Sequence, residues 1–325
     1  MFWQYRNPAI VRIPYLMRYF IWLVLLAIIV MVGAKIQRSR ARTPTAAAQA
    51  RLPAAKPIMA DADVDAFLAK YEAALLATQR PSVDIRLEAT TDDDPRASKV
   101  GRRPYWAEGR DYPVGANGAP LHLLAQIDFA ALPSSLDGYP KAGLLQFFIA
   151  SDDHYGADFD SGMTADAMSA QRNFRVVYWP DTRAGHRDVD VPAAEYLPHD
   201  PARPRRMRFS AATETLGVHD HRFDRLLGGD AHAAIETYAK AQRLDADALF
   251  DAVYERNGRG GHKIGGYPFF TQQDPRTDDR LELLLQLDTD EQMMWGDSGV
   301  GGFFIAPEDL ARGDFSRVMY SWDCH

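Results

Sequence analysis

The sequence has few of the features that would assign it quickly to a class. Cys324 is the single cysteine, so no disulfide can form within the chain, which fits a reducing compartment. Basic side chains are not in surplus, because 37 Lys and Arg stand against 44 Asp and Glu, a formal net charge of −7. Since nucleic-acid binding needs a basic surface, this balance argues against a nucleic-acid partner. The composition, 46% apolar and 25% charged over 325 residues, is that of a globular protein with a substantial core.

Long apolar runs are scarce as well, and the one that stands out is YFIWLVLLAIIVMVGA at 19–34. It carries no charge and lies between Arg18 and Lys35, and a membrane-spanning helix needs about 17–25 residues. We therefore predict a basic segment at 1–18 and a single-pass transmembrane helix at 19–35. A cleaved signal peptide is the alternative because the run ends in small residues, but the dense positive charge that follows it resists translocation.

The segment after this run predicts a tether. Residues 36–60 are rich in Ala, Pro and Arg and have no apolar period, which is typical of a flexible linker. A globular domain at 61–325 follows. The basic residues flanking the span slightly favour a cytoplasmic position for this domain, with a periplasmic position as the alternative.

The domain contains two stretches with the same four landmarks in the same order, which predicts an internal duplication. The first stretch has DYP at 111–113, LHLLAQID at 121–128, QFFIAS at 146–151 and FRVVYWPD at 174–181. The second has GYP at 266–268, LELLLQLD at 281–288, GFFIAP at 302–307 and FSRVMYSWD at 315–323. The repeat units extend over about 100–181 and 260–325. Their short runs of Leu, Phe, Ile, Val and Tyr, separated by Gly, Pro and Asp, predict strands.

Helical spacing of apolar residues occurs outside the repeats. A helix is predicted from Asp61 or Asp63, either of which can cap it, up to Pro81, and another helical stretch should end at Gly258. The predicted fold class is α+β, internally duplicated, with two antiparallel β-rich units, packed helices and one N-terminal transmembrane helix.

The run GDSG at 296–299 matches the surroundings of the nucleophile in chymotrypsin-like proteases. Such a serine needs a histidine to take its proton and a carboxylate to orient that histidine, and none of the nine histidines has the expected context. The run lies between two predicted strands, where Asp and Gly suit a hairpin loop. We therefore interpret Ser298 as a turn residue.

Carboxylates concentrate on the same predicted hairpin. Asp288 and Asp290 share one face if the strand continues, and Asp297 can return across the hairpin to join them. Several carboxylate oxygens in one place can bind a divalent cation. The same residues can equally be a solvated strand end whose side chains cap backbone amides.

The stretch GGHKIGGYPFFTQQDPR at 260–276 combines permissive glycines with a polar cluster, and it matches neither a phosphate loop nor a dinucleotide fingerprint. A structural crossover is its plainest interpretation, and the rim of a binding cleft is the alternative. Trp295, beside a Gly-Asp turn, is the tryptophan we expect to be exposed. The candidate binding face consists of His262, Tyr267, Gln273, Asp274, Arg276, Asp288, Asp290, Trp295 and Asp297.

Several of these motifs together resemble the YwqG-like family, a bacterial domain of unknown function. The resemblance covers roughly 65–325 and is strongest after residue 260. It is carried by RPYW, GGYPFFTQQDPR, LLLQLDTD, MMWGDSGVGGFFI and EDLARGDFSRVMYSWDCH. It implies an α+β fold built by duplication, offers no accepted catalytic residues, and suggests a protein-binding or immunity-like role. The N-terminal anchor and tether depart from the family pattern.

Three functions are compatible with these patterns. The leading hypothesis is a membrane-tethered interaction module without catalysis that binds a protein partner through the candidate face. The alternative is a hydrolase or metal-dependent enzyme that uses Asp288, Asp290, Asp297 and His262 in one cleft, which requires acid–base partners within hydrogen-bond reach. A purely structural envelope protein is the third, and it would have no pocket.

Overall fold

The computed structural model describes residues 59–92, 94–133, 136–183, 185–277 and 279–325. Within these ranges the chain forms ten strands and seven α-helices. The strands are β1 (Arg80–Ala89), β2 (Lys99–Val100), β3 (His122–Asp128), β4 (Leu144–Ile149), β5 (Phe174–Trp179), β6 (Arg205–Glu214), β7 (Lys263–Gly265), β8 (Glu282–Asp288), β9 (Val300–Ile305) and β10 (Met319–Asp323). The helices are α1 (Asp61–Ala69), α2 (Glu72–Ala77), α3 (Ala165–Ser169), α4 (Phe223–Leu226), α5 (Ala231–Gln242), α6 (Ala246–Asn257) and α7 (Pro307–Arg312).

All ten strands belong to one antiparallel sheet with the order β10-β9-β8-β7-β1-β6-β2-β3-β4-β5. The long strands β1 and β6 pair over their whole length at its centre, from Arg80 opposite Glu214 to Ala89 opposite Arg205. Strands β2–β5, here called the first half, lie on one side of this pair, and β7–β10, the second half, lie on the other. The central strands are exchanged, because β1 precedes the first half in the chain but pairs with β7, while β6 pairs with β2. The fold is thus α+β on an antiparallel sheet.

The two halves repeat one another in hydrogen bonding as well as in strand order. Gln126 on β3 accepts from Tyr105 N at 3.1 Å, and Gln286 on β8 accepts from Phe269 N at 2.8 Å. The side-chain amide of each glutamine also donates to the carbonyl oxygens of the segment before its half's first strand. Because a buried amide must satisfy both its donor and its acceptor, one glutamine fixes three neighbouring segments in each half.

The main core lies between the two halves, because the sheet curls until its edge strands approach each other. Phe174 on β5 and Tyr320 on β10 have ring centroids 5.1 Å apart, although these strands are at opposite edges. Phe147 and Phe303, which occupy equivalent positions on β4 and β9, meet at 4.7 Å. Apolar side chains on the inner face of each half therefore cover those of the other half.

The strand register corrects two of the landmarks that predicted the duplication. Pro104, rather than the proline of DYP, corresponds to Pro268, because both follow two consecutive residues with positive φ, at 101–102 and 265–266. The second correction concerns β5 and β10, where the landmarks align Trp179 with Trp322. In the strand pairing, Trp179 lies opposite Leu144 of β4, and Asp323 lies opposite Val300, the residue of β9 that is equivalent to Leu144. The counterpart of Trp179 is thus Asp323, and Trp322 points to the other face of the sheet, since a shift of one residue reverses the direction of a strand's side chain.

Helices α1, α5 and α6 pack together in a separate apolar cluster, whereas Met168 of α3 and Leu310 of α7 pack against residues of the sheet. The helical stretch predicted to end at Gly258 is two helices, α5 and α6, which are interrupted at Arg243, a residue with a φ of 61°. Their first turns are capped by Asp230 and Asp245, whose carboxylates accept from backbone N–H groups. The predicted cap on α1 is wrong, because its N-cap is Ala60 with no side-chain bond, and Pro81 lies within β1 rather than at a helix end.

None of the helices that the structure describes is both long and apolar enough to cross a bilayer. The transmembrane helix predicted at 19–35 lies outside the described residues, as does the tether up to residue 58.

Candidate functional site

The GDSG run forms the turn between β8 and β9, as the sequence predicts. Ser298 has a φ of 81°, and the N–H of Gly299 donates to the Trp295 carbonyl oxygen at 2.7 Å. A positive φ is uncommon for a residue with a side chain and is typical of tight turns.

Of the side-chain contacts that the enzyme hypothesis requires, the structure shows the one between His262 and Asp290 of the acidic hairpin. His262 Nε2 lies 2.9 Å from Asp290 Oδ2, and Arg205 Nη1 donates to the same oxygen at 2.5 Å. The other ring nitrogen of His262 accepts from the backbone N–H of Asp288 at 3.0 Å. Both ring nitrogens are thus engaged in hydrogen bonds, which connect the start of β7 to the end of β8 and to Asp290.

The electrostatics of Asp290 favour a permanently charged carboxylate. Burial raises its pKa, but hydrogen bonds from His262, from the Gln292 N–H and from Arg205 outweigh burial and hold the pKa well below its usual range. A general base needs a pKa near the working pH, which this carboxylate does not have. Asp290 also lines a cavity of about 380 Å³ between 194–201 and 290–294.

The other two hairpin carboxylates do not join Asp290. Asp288 accepts from the N–H groups of Gly261 and Thr289, and is thus a strand-end cap. Asp297 lies on the far side of the turn, beside Cys324. In the described part of the chain, the three hairpin carboxylates do not form a group with ligand atoms close enough together for one metal ion.

A group of potential metal ligands does occur in the described residues at Asp220, His221 and Asp274, whose ligand atoms lie within 4.8 Å of one another. Arg276 already neutralises both carboxylates, donating to Asp220 Oδ2 at 2.8 Å and to Asp274 Oδ2 at 2.6 Å. Arg222 donates to Asp220 Oδ2 as well, at 2.6 Å. A divalent cation would have to displace two arginines, so this cluster fits a structural ion-pair network better than a metal centre.

Three members of the predicted binding face are buried. Trp295 is 0% exposed, so the expectation that it faces solvent is wrong. Its ring packs against Tyr155 and lies over Gly301, where a Cβ atom would be 2.6 Å from the indole. Tyr267 and Arg276 are buried too, the first with its hydroxyl donating to the Thr78 carbonyl oxygen at 2.6 Å.

Two other members, Gln273 and Asp274, line a cleft of about 720 Å³ beside the last strand, here called the β10 cleft. One wall is the loop after Phe270, and the other is the end of β10. The lining residues are Phe159, Met163, Phe270, Gln272, Gln273, Asp274, Pro275, Ser321, Trp322, Asp323 and Cys324.

Comparison of the two halves shows why this cleft is open. In the first half, the rings of Trp106 and Trp179 meet edge to face at 5.1 Å, and Trp179 Nε1 donates to Gln146 at 2.6 Å. The counterparts of the two tryptophans in the second half are Phe270 and Asp323, and both line the cleft. A carboxylate is far smaller than an indole, so this position of the second half, which borders the cleft, holds much less side-chain volume than its counterpart.

Asp323 differs electrostatically from the partly buried carboxylates of Asp220 and Asp274, whose pKa values are lowered. Burial raises its pKa, and donation from Gln272 and Thr271 offsets only part of this effect. Its Oδ2 accepts from the Gln272 N–H at 2.8 Å. The contrast with Asp220 is direct, because hydrogen bonds from Arg222 and Arg276 outweigh burial there and lower the pKa.

Sequence reasoning gave the rim of a cleft only as the alternative interpretation of the 260–276 stretch, and it missed Asp323 and Trp322 as the other wall. The signal was in the repeat, where FRVVYWPD faces FSRVMYSWD. An alignment that matches tryptophan to tryptophan conceals the replacement of Trp179 by a carboxylate.

Fold and site together define a mixed α/β domain on an antiparallel sheet, with a cleft beside β10 that is lined by aromatic and polar side chains. The chain belongs to the DUF1963 family, a domain of unknown function whose model matches residues 98–324. That match includes both halves and every lining residue of the β10 cleft. No curated protein matches the chain.

Proposed function

We propose that this protein is a binding module without catalysis, and that the β10 cleft is its ligand site. The predicted helix at 19–35 would tether the domain to a membrane, with a cytoplasmic position favoured. Within its family we place the chain with the YwqG-like proteins, and an immunity-like interaction with another protein is the role this suggests.

The observation that carries the proposal is the replacement of Trp179 by Asp323 between otherwise matching halves. Their matched hydrogen bonds support an origin by duplication, and after a duplication each copy can change separately. One copy keeps two packed tryptophans at this place, and the other has a cleft lined by aromatic side chains and Asp323. A concave site with apolar walls and a few convergent polar groups is what ligand sites have in common.

The hydrolase alternative has less support. Its proposed base, His262, holds hydrogen bonds with both ring nitrogens, and Asp290 is stabilised as a charged carboxylate by Arg205. Proton transfer would have to break one of these bonds. These hydrogen bonds of His262 have a structural role, because they connect the start of β7 to the β8–β9 turn.

A photocrosslinking experiment tests where a partner binds. A benzophenone amino acid is introduced at Met163, which lines the β10 cleft and is 46% exposed, in the full-length protein in native membranes. The matched position is Met294, which is 48% exposed on the acidic hairpin. Both replacements exchange an exposed methionine for the same probe.

We expect adducts from position 163 that disappear when Asp323→Trp fills the cleft, and none from position 294. Adducts from position 294 alone would move the binding face to the acidic hairpin and refute the assignment to the cleft. No adduct from either position would contradict a binding module.

A further inference from the structure

The β10 cleft runs along a free edge of the sheet. Strand β10 is one of the two edge strands, and β9 is its neighbour. The cleft is lined by four consecutive residues, 321–324. Since consecutive side chains of a strand point to opposite faces, a cleft that all four line lies beside the strand rather than over one face. Its walls come from both faces, because Phe159 contacts the ring of Trp322, and Gln272 bonds to the carboxylate of Asp323.

The strand pairing shows which backbone groups of β10 point out of the sheet. In an antiparallel sheet, successive residues direct their N–H and C=O groups alternately to one side of the strand and to the other. The Thr289 N–H donates to the Gly299 carbonyl oxygen at 3.2 Å, so Gly299 bonds towards β8, and the next residue, Val300, bonds towards β10. Val300 lies opposite Asp323. The backbone of Asp323 therefore bonds to β9, and that of Trp322 points away from the sheet.

This edge is capped in the first half but not in the second. The N–H of Val176 on β5 points out of the sheet and donates to the Gln171 side chain at 2.8 Å. The counterparts of these two residues are Tyr320 and Phe315, and a phenylalanine has no side-chain acceptor. Among the described residues, no hydrogen bond to the outward backbone groups of Tyr320 or Trp322 is present. An unpaired strand edge is a template for pairing with another extended chain.

The walls of the cleft suit the side chains of such a chain. In an added strand, alternate side chains point to opposite faces of the sheet. The cleft offers apolar contacts on both, from Phe159 and Met163 and from Phe270 and Pro275. Main-chain hydrogen bonds give affinity in this mode of recognition, and the pockets for alternate side chains give specificity.

The charge of the domain indicates which extended segments it favours. Residues 1–58 contain nine Lys and Arg and no Asp or Glu, so residues 59–325 carry 28 basic and 44 acidic side chains, a formal charge of −16. A field of this sign attracts basic polypeptides and accelerates their association.

We propose that the free edge of β10 binds an extended, basic segment of a partner polypeptide, which adds a strand to the sheet next to β10. The backbone of the segment pairs with that of Trp322, and its side chains enter the cleft on both faces. Four lining residues span about 13 Å at about 3.3 Å per residue, which is enough for about four residues of the partner. The proposal rests on the proposed function, because it names the kind of partner that the same cleft takes.

The test selects ligands from a library of random heptapeptides displayed on phage, with the purified full-length protein as the target. Soluble Asp323→Trp, in which the added ring narrows the cleft, is present in excess to remove peptides that bind elsewhere. The selected peptide is then synthesised, and its affinity is measured by fluorescence polarisation. Its analogues carry one N-methyl group at each position in turn, or glutamine in place of every basic residue. Glu236→Trp adds the same ring at an exposed position on α5, outside the cleft lining, and is the matched control.

We expect N-methylation of alternate residues to weaken binding about 10-fold or more and N-methylation of the residues between them to have little effect, because only alternate amides of an added strand bond to β10. Asp323→Trp should lose binding, and Glu236→Trp should bind as the wild type does. In hydrogen exchange resolved to single residues, the N–H of Trp322 should exchange rapidly in the free protein and slowly in the complex. The N–H of Asp323 should be protected in both.

Three results would overturn the proposal. The first is a library that yields no peptide, and the second is an affinity that responds to N-methylation without a period of two residues. The third is a dimer in sedimentation velocity that Asp323→Trp dissociates, because a second copy of the chain would then occupy the edge. Unchanged affinity of the glutamine analogue would refute the basic character of the segment.

The two proposals fail separately. If no peptide is selected but position 163 still gives adducts that Asp323→Trp abolishes, the cleft is a ligand site and only the addition of a strand is wrong. If neither experiment gives a signal, the binding function itself fails.

Discussion

Lys263 provides the most demanding test of how this domain is held together, because its ammonium is buried at the centre of the sheet. Lys263 and Glu214 are each 1% exposed, and Nζ lies 3.0 Å from Oε2. Nζ also donates to the Arg259 carbonyl oxygen at 2.8 Å, and the Tyr267 N–H donates to Glu214 at 3.0 Å. The pair therefore connects β6 and β7, which lie on either side of β1 in the sheet.

The change Lys263→Met removes the cation and leaves Glu214 buried. At 3.0 Å an effective dielectric constant of about 20 gives an attraction of about 5–6 kcal/mol, which desolvation of both ions largely offsets. Breaking one partner of a buried pair costs about 3–5 kcal/mol, since the remaining charge is uncompensated. We expect the free energy of unfolding to fall by that amount.

The double variant Lys263→Met, Glu214→Leu should be no less stable than the single one, because it removes the uncompensated charge. The Arg259 carbonyl loses the Nζ donor in both variants, and the double variant adds the loss of the acceptor of the Tyr267 N–H, a cost of about 1–3 kcal/mol. Urea titration of each purified protein measures these differences, with the slope monitored for changes in cooperativity. Arg312→Met, which breaks an exposed ion pair with Asp309 on α7, is the control and should change the midpoint little. A loss below about 1 kcal/mol in Lys263→Met would refute the reasoning, as would a double variant that loses the sum of both single effects.

Three further outcomes follow from the site and the fold. Gln286→Leu should lower the free energy of unfolding by about 2–4 kcal/mol, since it leaves a backbone donor and acceptors unpaired. Gln126→Leu should lower it by at least as much, because Gln126 also accepts from the Gln146 amide at 2.7 Å, and a smaller loss in urea titration would contradict the matched role of the two glutamines. The pKa of Asp290 is lowered on folding, so its stabilisation is present above the ordinary carboxyl pKa of about 4 and is lost as pH falls below it. In Asp290→Asn, the melting temperature should therefore decrease less between about pH 5 and pH 3 than it does in the wild type. An equal decrease in both proteins would exclude this role of Asp290. Asp323→Trp should fold with unchanged or higher stability by thermal melting, because the cleft has room for the ring that Trp179 supplies in the other half, whereas a marked loss would mean that the cleft walls do not accept it.

Much of the fold was predictable because it depends on local rules. The matching octamers LHLLAQID and LELLLQLD became β3 and β8, and each has its glutamine in the same structural role. The turn at Ser298 followed from Asp and Gly between two apolar runs. Strand periodicity and turn chemistry involve residues close in sequence, so no tertiary information was needed.

The candidate site was predicted only in part, because burial depends on residues far apart in the chain. Trp295 beside a Gly-Asp turn should be exposed by local rules, yet Tyr155 and Trp322 cover it. The 260–276 stretch does provide one rim of the cleft, through Gln273 and Asp274. Its acidic neighbours on the β8–β9 hairpin proved to be strand-end caps and ion-pair partners.

The sequence by itself determined the class of fold, the repeated landmarks, the hairpin turn and the acidic excess of the domain, since each of these is a property of composition or of neighbouring residues. The tertiary structure alone decided the exchange of β1 and β6 between the halves, the burial of Trp295 and the equivalence of Trp179 with Asp323. These depend on strand register, and a shift of one residue, which hardly changes a sequence match, moves a side chain from one face of a sheet to the other. With the register of the structure, the counterpart of the buried Trp179 is Asp323 at the β10 cleft, and not the neighbouring Trp322.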